Sequence, residues 1–369
     1  MLRSCSVLDF HQLINLAQEF THSLSLALPL SFLGLVPMSA VLACTRAVYL
    51  GPDNLVFTGR SMDWVTDMES NLWVFPRGME RHGAAGSGSI EWTSQYGSVG
   101  TGVWDIGIAD GMNEKGLVAN MLYLTESVYP TPSPNDARAP LSLSLWPQYM
   151  LDNFATVAEA VGAMEKEPCK MAPVPSPDGK AGTVHLSISD ATGDSAIFEY
   201  VDGELMIHHS RDYQVMTNSP TFDQQRSLNQ YWEQIGGLAM LPGTNRAADR
   251  FVRASFYINS IPQTADPKEA AASVLSVIRN ISVPLGFATP DRPDISSTIW
   301  RTVADQTNRR YFFESTRSPN VFWVNLDDLD LSPRAPVRKL TLTDGAVFAG
   351  NTADQFQPSE PLQFLEAAR

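Results

Sequence analysis

Basic residues, cysteine and histidine are all scarce in this chain, and each scarcity closes off a class of function. Among 369 residues, 26 Lys and Arg stand against 40 Asp and Glu, a formal net charge of −14. Binding to nucleic acid or to an anionic membrane surface needs clustered Lys and Arg, so the expected partner is a small molecule. The three cysteines, Cys5, Cys44 and Cys169, have no CxxC or zinc-knuckle spacing, which removes a structural zinc, a dithiol redox centre and a disulfide scaffold. A Cys44–Cys169 bridge would suit an oxidising compartment but would consume Cys44. Past residue 43 only His82, His185, His208 and His209 remain, without the HExxH spacing of a zinc protease. The glycine-rich stretches around Ser87 and Ser98 do not spell a G-x-S-x-G elbow and read as flexible turns. The run Asp327-Asp328-Leu329-Asp330 lacks the Gly and terminal Glu of an EF-hand loop and reads as a solvated turn; no metal or other cofactor is expected.

What the chain does contain is concentrated at its start. From Leu24 to Ala43 there is no charged residue, and Val41 and Ala43 occupy −3 and −1 of a signal-peptidase site. Residues 1–43 therefore read as a leader removed on maturation, and the protein as exported, periplasmic or secreted, with no stable membrane insertion after cleavage. A transmembrane anchor is the alternative, opposed by Pro29, Pro37 and the lack of flanking Lys or Arg. Arg3 is the only basic residue before Phe20, against Asp9 and Glu19, which departs from a usual n-region and leaves the start codon open. With no linker or long-period repeat after the leader, residues 44–369 read as one domain.

Cleavage after Ala43 would expose Cys44 with a free α-amine, and such an amine has an ordinary pKa of ~7.7–8.0, against ~10.4 for lysine. It can take the thiol proton near neutral pH without a histidine, the amine-assisted logic known for N-terminal threonine. The rival reading is a lipobox, with Leu-Ala-Cys directing diacylglycerol onto Cys44 to give a lipid-anchored binding protein. Against it, Val41 stands where Leu is usual, and Thr45–Leu50 alternates like a strand instead of forming a polar tether. A Gly51-Pro52-Asp53-Asn54 turn and a second strand over Leu55–Trp64 follow, a hairpin that returns Arg60 and Asp63 toward Cys44. A guanidinium there would favour thiolate, and a carboxylate would stabilise the ammonium formed when the amine takes the proton. A surface ion pair at a strand end is the plainer alternative.

The segment ACTRAVYLGPDNLVFTGRSMDW resembles the start of the choloylglycine hydrolase and penicillin V acylase family of N-terminal nucleophile hydrolases. The resemblance continues through ADGMNEKGLVANMLYL (109–124), HHSRDYQVMTNSPTFDQQ (208–225), DRFVRASFY (249–257) and STIWRTVADQTNRRYFF (297–313). It implies Cys44 as nucleophile, Arg60 beside its thiolate and Asp63 as partner of its α-amine. It further implies Asn218 as an oxyanion donor through its side-chain amide, and Tyr123 as a second donor through backbone N–H. Arg250 is implied as a charge-stabilising arginine, with the register against Arg253 left open. Donors held where a tetrahedral oxyanion forms are worth about 10²–10³ in turnover each. Asn218 also fits a plain turn former before Pro220, and Tyr123 a strand-end aromatic.

The fold implied is α+β, a four-layer αββα sandwich of two antiparallel sheets between helical layers. Alternation supports strands over Thr183–Ser189, Ser195–Val201, Glu204–His208, Tyr213–Thr217, Trp300–Ala304, Tyr311–Glu314 and Val321–Asn325, with turns at Gly193-Asp194 and Asp202-Gly203. Helical periodicity covers Leu151–Lys166, Thr221–Gln234 and Lys268–Arg279. Family substrates join an apolar acyl group to a compact polar amine by an amide, and include conjugated bile salts, phenoxyacetyl penicillins and acyl-homoserine lactones. An apolar pocket lined by Met62, Trp64, Leu122 and Tyr123 is expected, although core packing would also account for Met62 and Leu122. Tyr123 in place of Asn, with an export signal, points to penicillin V or an acyl-homoserine lactone before glycocholate. Members are often tetramers, so a homotetramer is implied, though the segment between Asn218 and Arg250 looks short beside members whose insertion there helps assembly.

Overall fold

The computed structural model describes residues 44–367 except 132, 134–135, 290–294 and 319. The expected leader, residues 1–43, and its processing point lie outside the described residues. All described residues fall in one compact unit.

Strand β1 (Thr45–Leu50) and strand β2 (Val56–Trp64) form the expected hairpin, in register from Thr45↔Ser61 to Leu50↔Val56. The turn between them needs left-handed backbone at Asp53 and Asn54, with φ of 55° and 58°, residue types that tolerate it because their short polar side chains can bond locally. This hairpin lies inside a seven-stranded sheet ordered Val215–Thr217, β1, β2, Ser297–Asp305, Arg310–Ser315, Val321–Asn325, Gly350–Asn351. Nine antiparallel strands form the second large sheet: Glu204–His209, Ser195–Val201, Val184–Ser189, Val118–Tyr123, Gly107–Asn113, Ser98–Val103, Leu72–Phe75, Arg338–Leu340 and Gln357–Pro358. The expected turn at Asp202-Gly203 joins two of them, with both residues at positive φ (52° and 86°) between the paired Val201 and Glu204, the geometry that matches strand twist.

Among the described residues, five α-helices flank the sheets: α1 (Trp146–Asn153), α2 (Val157–Met164), α3 (Phe222–Ile235), α4 (Ala247–Ser260) and α5 (Pro267–Asn280). Helices α4 and α5 pack on β1 and β2, and α1 on the strands Gly107–Asn113 and Val118–Tyr123 of the other sheet. One core contains residues of both sheets with α4 and α5; a second lies between the nine-stranded sheet and α1–α2. The result is the α+β sandwich of two antiparallel sheets between helical layers.

Two expectations are corrected, and one helix is additional to them. The single helix over Leu151–Lys166 is two, because the backbone turns extended at Phe154 and Thr156. There Thr156 accepts from the Glu159 N–H while the Glu159 carboxylate accepts from the Thr156 N–H, a reciprocal cap that starts a new helix. The stretch at Ser98 is no flexible turn but the strand Ser98–Val103. Its glycines permit close packing, since a Cβ at Gly102 would lie 3.0 Å from the Trp73 ring. Helix α4 was not foreseen, because Arg250 and Arg253 on its buried side interrupt the apolar stripe.

Candidate active site

Alternation along β2 sorts the site residues to two faces. Gly59 faces α5, where a Cβ would meet Ile278 and Val274; Ser61 and Asp63 share that face. Thr58, Arg60 and Met62 point the other way, into the space between the sheets, where Thr58 Oγ1 meets Ser189 Oγ at 2.8 Å. The register carries Cys44 opposite Met62 on the inter-sheet face. Its Sγ lies 3.6 Å from Met62 Sδ and 3.6 Å from the Asp63 carbonyl oxygen, and the Asp63 N–H points at it from 3.5 Å. Cys44 is 1% exposed, and Arg60 and Asp63 are fully buried, so neither forms a surface ion pair.

Arg60 enters the nine-stranded sheet where two of its strands part. Its Nη1 donates to Ala109 O at 2.6 Å and its Nη2 to Met121 O at 2.7 Å, and Asp110 Oδ2 lies 3.4 Å from Nη1. The Trp300 ring covers the guanidinium at 5.0 Å. Burial pushes the Cys44 thiol up; Arg60 opposes this, as expected, without cancelling it. Asp63 faces α4, where Arg250 Nη1 reaches its Oδ2 at 3.2 Å and Thr298 donates to its Oδ1. Burial raises the Asp63 carboxyl to about 6, more than Arg250 and Thr298 lower it.

Arg250 also donates to Thr45 Oγ1 and lies 3.4 Å from Asn218 Oδ1. Arg253 instead donates to the carbonyls of Pro242 and Thr244, both at 2.8 Å, so of the two arginines Arg250 is the one at the site. Asn218 Nδ2 donates to Tyr123 O at 2.6 Å. The Leu124 N–H bonds Thr183 O, so by alternation the Tyr123 N–H and C=O both face away from that neighbour. On that other side the pairing with Gly107–Asn113 ends at Asn120. The Tyr123 N–H therefore opens onto the side where Asn218 stands.

A pocket lies next to Met62. Its walls include Met62, Trp64, Leu122 and Tyr123, all four expected, joined by Met68 and Trp104, and it encloses about 740 Å³ counting its open mouth. Trp64 meets Trp104 and Tyr123 edge-on, with centroids 6.2 and 5.9 Å apart. The loop at Val174–Gly182 closes another side and is tied in by Trp64 Nε1 donating to Asp178 Oδ2 at 2.8 Å.

Sequence reasoning passed over Asp110, Thr298 and Tyr311. Asp110 accepts from Asn120 Nδ2 at 2.6 Å and from the Tyr311 hydroxyl, holding a buried carboxylate against Arg60. All three lie within segments of the family resemblance, which was the available signal. The acidic run at Asp327 is the solvated turn expected, with Asp327 paired to Arg309 at 2.8 Å.

Two antiparallel sheets between helices, with a cysteine at the head of an inner strand and facing the space between the sheets, define the N-terminal nucleophile hydrolase fold. The family model for linear amide C–N hydrolases, choloylglycine hydrolase family, matches residues 44–344, and the chain belongs to that family. It is 50% identical over 359 residues to a penicillin V acylase of Pectobacterium atrosepticum, covering 91% of this chain and 96% of the relative. A bile salt hydrolase/transferase of Bifidobacterium longum is 21% identical over 310 residues, 78% of this chain and 96% of the relative. Among solved structures, penicillin V acylase from Agrobacterium tumefaciens superposes with a TM-score of 0.82 at 56% identity, covering 88% of this chain and all of that one. A conjugated bile acid hydrolase from Clostridium perfringens shares the fold, with a TM-score of 0.68 at 23% identity over 81% of this chain and 97% of that one. The protein is a hydrolase of linear amides.

Proposed function

We propose that this hydrolase uses Cys44, freed as the N-terminal residue of an exported protein, to cleave an N-acyl amide of the penicillin V or long-chain acyl-homoserine lactone type. The observation that carries the substrate reading is the pocket beside Met62, whose aromatic and aliphatic walls suit a phenoxyacetyl or alkyl acyl group. The 50% and 56% identities to penicillin V acylases support it, and a family match that begins at residue 44 supports Cys44 as the first residue of the mature protein. The start of β1 at the residue after Cys44 favours this reading over a lipid anchor, which calls for a flexible tether after the cysteine.

In this reading the α-amine of Cys44 takes the thiol proton and the sulfur adds to the amide carbonyl carbon. The oxyanion receives the Tyr123 N–H and the second N–H of Asn218 Nδ2, whose first is committed to Tyr123 O. Because the Asn218 oxygen faces Arg250, the amide is held with its nitrogen turned inward. Collapse breaks the C–N bond as the ammonium returns its proton to the leaving amine, giving a Cys44 thioester. Water, deprotonated by the same amine, then releases the acid and regenerates the thiol.

Cys44→Ala is expected to abolish hydrolysis while the melting temperature stays within a few degrees, since the side chain lost is small. Parallel kinetics with chelator on penicillin V, a long-chain acyl-homoserine lactone and glycocholate should favour one of the first two. A higher kcat/KM for glycocholate would reverse the substrate assignment, and activity in the alanine variant would remove Cys44 from the mechanism.

A further inference from the structure

We propose that Glu199 is a positioning residue for the oxyanion amide of Asn218, acting through the turn that joins Asn218 to helix α3; this rests on the role given above to Asn218. Four residues after Asn218 the chain enters α3 at Phe222. A helix start leaves its first N–H groups without partners inside the helix, and the N-cap side chain ordinarily accepts one of them. Here the N-cap, Thr221, makes no such bond. Both carboxylate oxygens of Glu199, on the strand Ser195–Val201 of the other sheet, accept the Phe222 N–H instead, at 3.1 and 3.0 Å. The cap of the helix that fixes the turn is thus supplied from across the sandwich.

Glu199 is 1% exposed, and a buried carboxylate is costly unless it is paired and hydrogen-bonded. The partners are present. His185 Nδ1 lies 2.9 Å from Oε1 and His208 Nε2 3.5 Å from Oε2, both on neighbouring strands, and the His208 ring packs on Phe222 with centroids 5.0 Å apart. Burial alone would raise this carboxyl; the histidine and Phe222 bonds outweigh it and hold it at about 2. The near end of the turn is tied separately. Gln225 Nε2 donates to the carbonyls of Asn218 and Pro220, and Thr217 Oγ1 lies 2.6 Å from Gln225 Oε1. Glu199 therefore fixes the far end of a turn whose near end presents an oxyanion donor, and a displacement of about 1 Å in such a group can lower turnover 10²-fold.

The test is a double-mutant cycle of Glu199→Ala with Asn218→Ala, read by kcat, by KM and by the rate at which iodoacetamide alkylates Cys44. E199A is expected to lower kcat by about 10- to 100-fold with KM within about twofold, and Glu199→Gln, which keeps an oxygen for the Phe222 N–H, to restore most of it. In E199A, Cys44 should alkylate at the wild-type rate, since Glu199 stands on the other sheet from the nucleophile. In the Asn218→Ala background E199A should change kcat less than about twofold, because the group it positions is gone. A full-sized loss in that background, a loss confined to KM, slowed alkylation in E199A, or wild-type kcat in E199A would overturn the assignment. Wild-type kcat in Asn218→Ala alone, or no hydrolysis by the wild type, would overturn the reading of the site and this inference with it.

Discussion

Asp63 carries two loads that pull in opposite directions. In the proposed chemistry it must be ionised to stabilise the ammonium on Cys44, yet it is fully buried and its carboxyl is raised to about 6. A carboxyl raised in the fold binds its proton more tightly there than in the unfolded chain, where the value is near ~3.9. Its contribution to stability is therefore present below about pH 4 and is lost as pH rises through about 6. Asp63→Asn should lose turnover at all pH values. Its stability relative to wild type should also improve by about 2 kcal/mol between about pH 4.5 and about pH 7.5. Urea unfolding at the two ends of that range measures this; a constant difference would show that Asp63 does not titrate in the fold. The sequence revealed Asp63 and Cys44 because both lie on one predictable hairpin. It hid Asp110 and Glu199, because strand Asp and Glu are ordinarily solvent-facing, and only the stacking of two sheets buries these against Arg60 and Phe222.

At the scale of elements, legibility followed periodicity. β1 and β2, the hairpin at Asp202-Gly203 and the helix Pro267–Asn280 fall within about a residue of their expected limits, since each has clear alternation or an apolar stripe between strong turn signals. Helix α4 escaped because two of its inward positions are arginines, one serving the site and one bonding the Pro242 and Thr244 carbonyls. The central strand Ser98–Val103 escaped because glycines needed for close sheet packing look like turn residues when read alone. Gly59 illustrates the same device beside the catalytic hairpin: a Cβ there would lie 2.7 Å from Ile278 Cγ1 and 2.8 Å from Val274 Cγ1. Gly59→Ala should destabilise the protein by about 1–3 kcal/mol through overpacking between β2 and α5, seen as a lower urea midpoint at an unchanged slope. An unshifted midpoint would mean that α5 yields freely, and that β2 is not held in place by this packing.

For the whole molecule, the two-sheet sandwich does more than enclose a core. Its inner faces bring the thiol and Arg60 together, its outer face on the α4 side gives Asp63 to Arg250, and the gap between Tyr123 and Asn218 spans the two sheets. No single segment contains this site, which is why five short matches in order along the chain revealed the family where composition revealed only a small-molecule protein. The apolar pocket was anticipated in its lining but not in its cover, since nothing in the residues Val174–Gly182 announces that they fold over Trp64. The central claim is that Cys44 is the N-terminal residue of the active enzyme and becomes acylated. The most direct test is mass spectrometry of the active enzyme, acid-quenched during turnover of penicillin V and digested. A peptide that begins at Cys44 and carries a phenoxyacetyl group in thioester linkage is the result expected. A Cys44 peptide that retains upstream residues, or stays unmodified while phenoxyacetate accumulates, would contradict it.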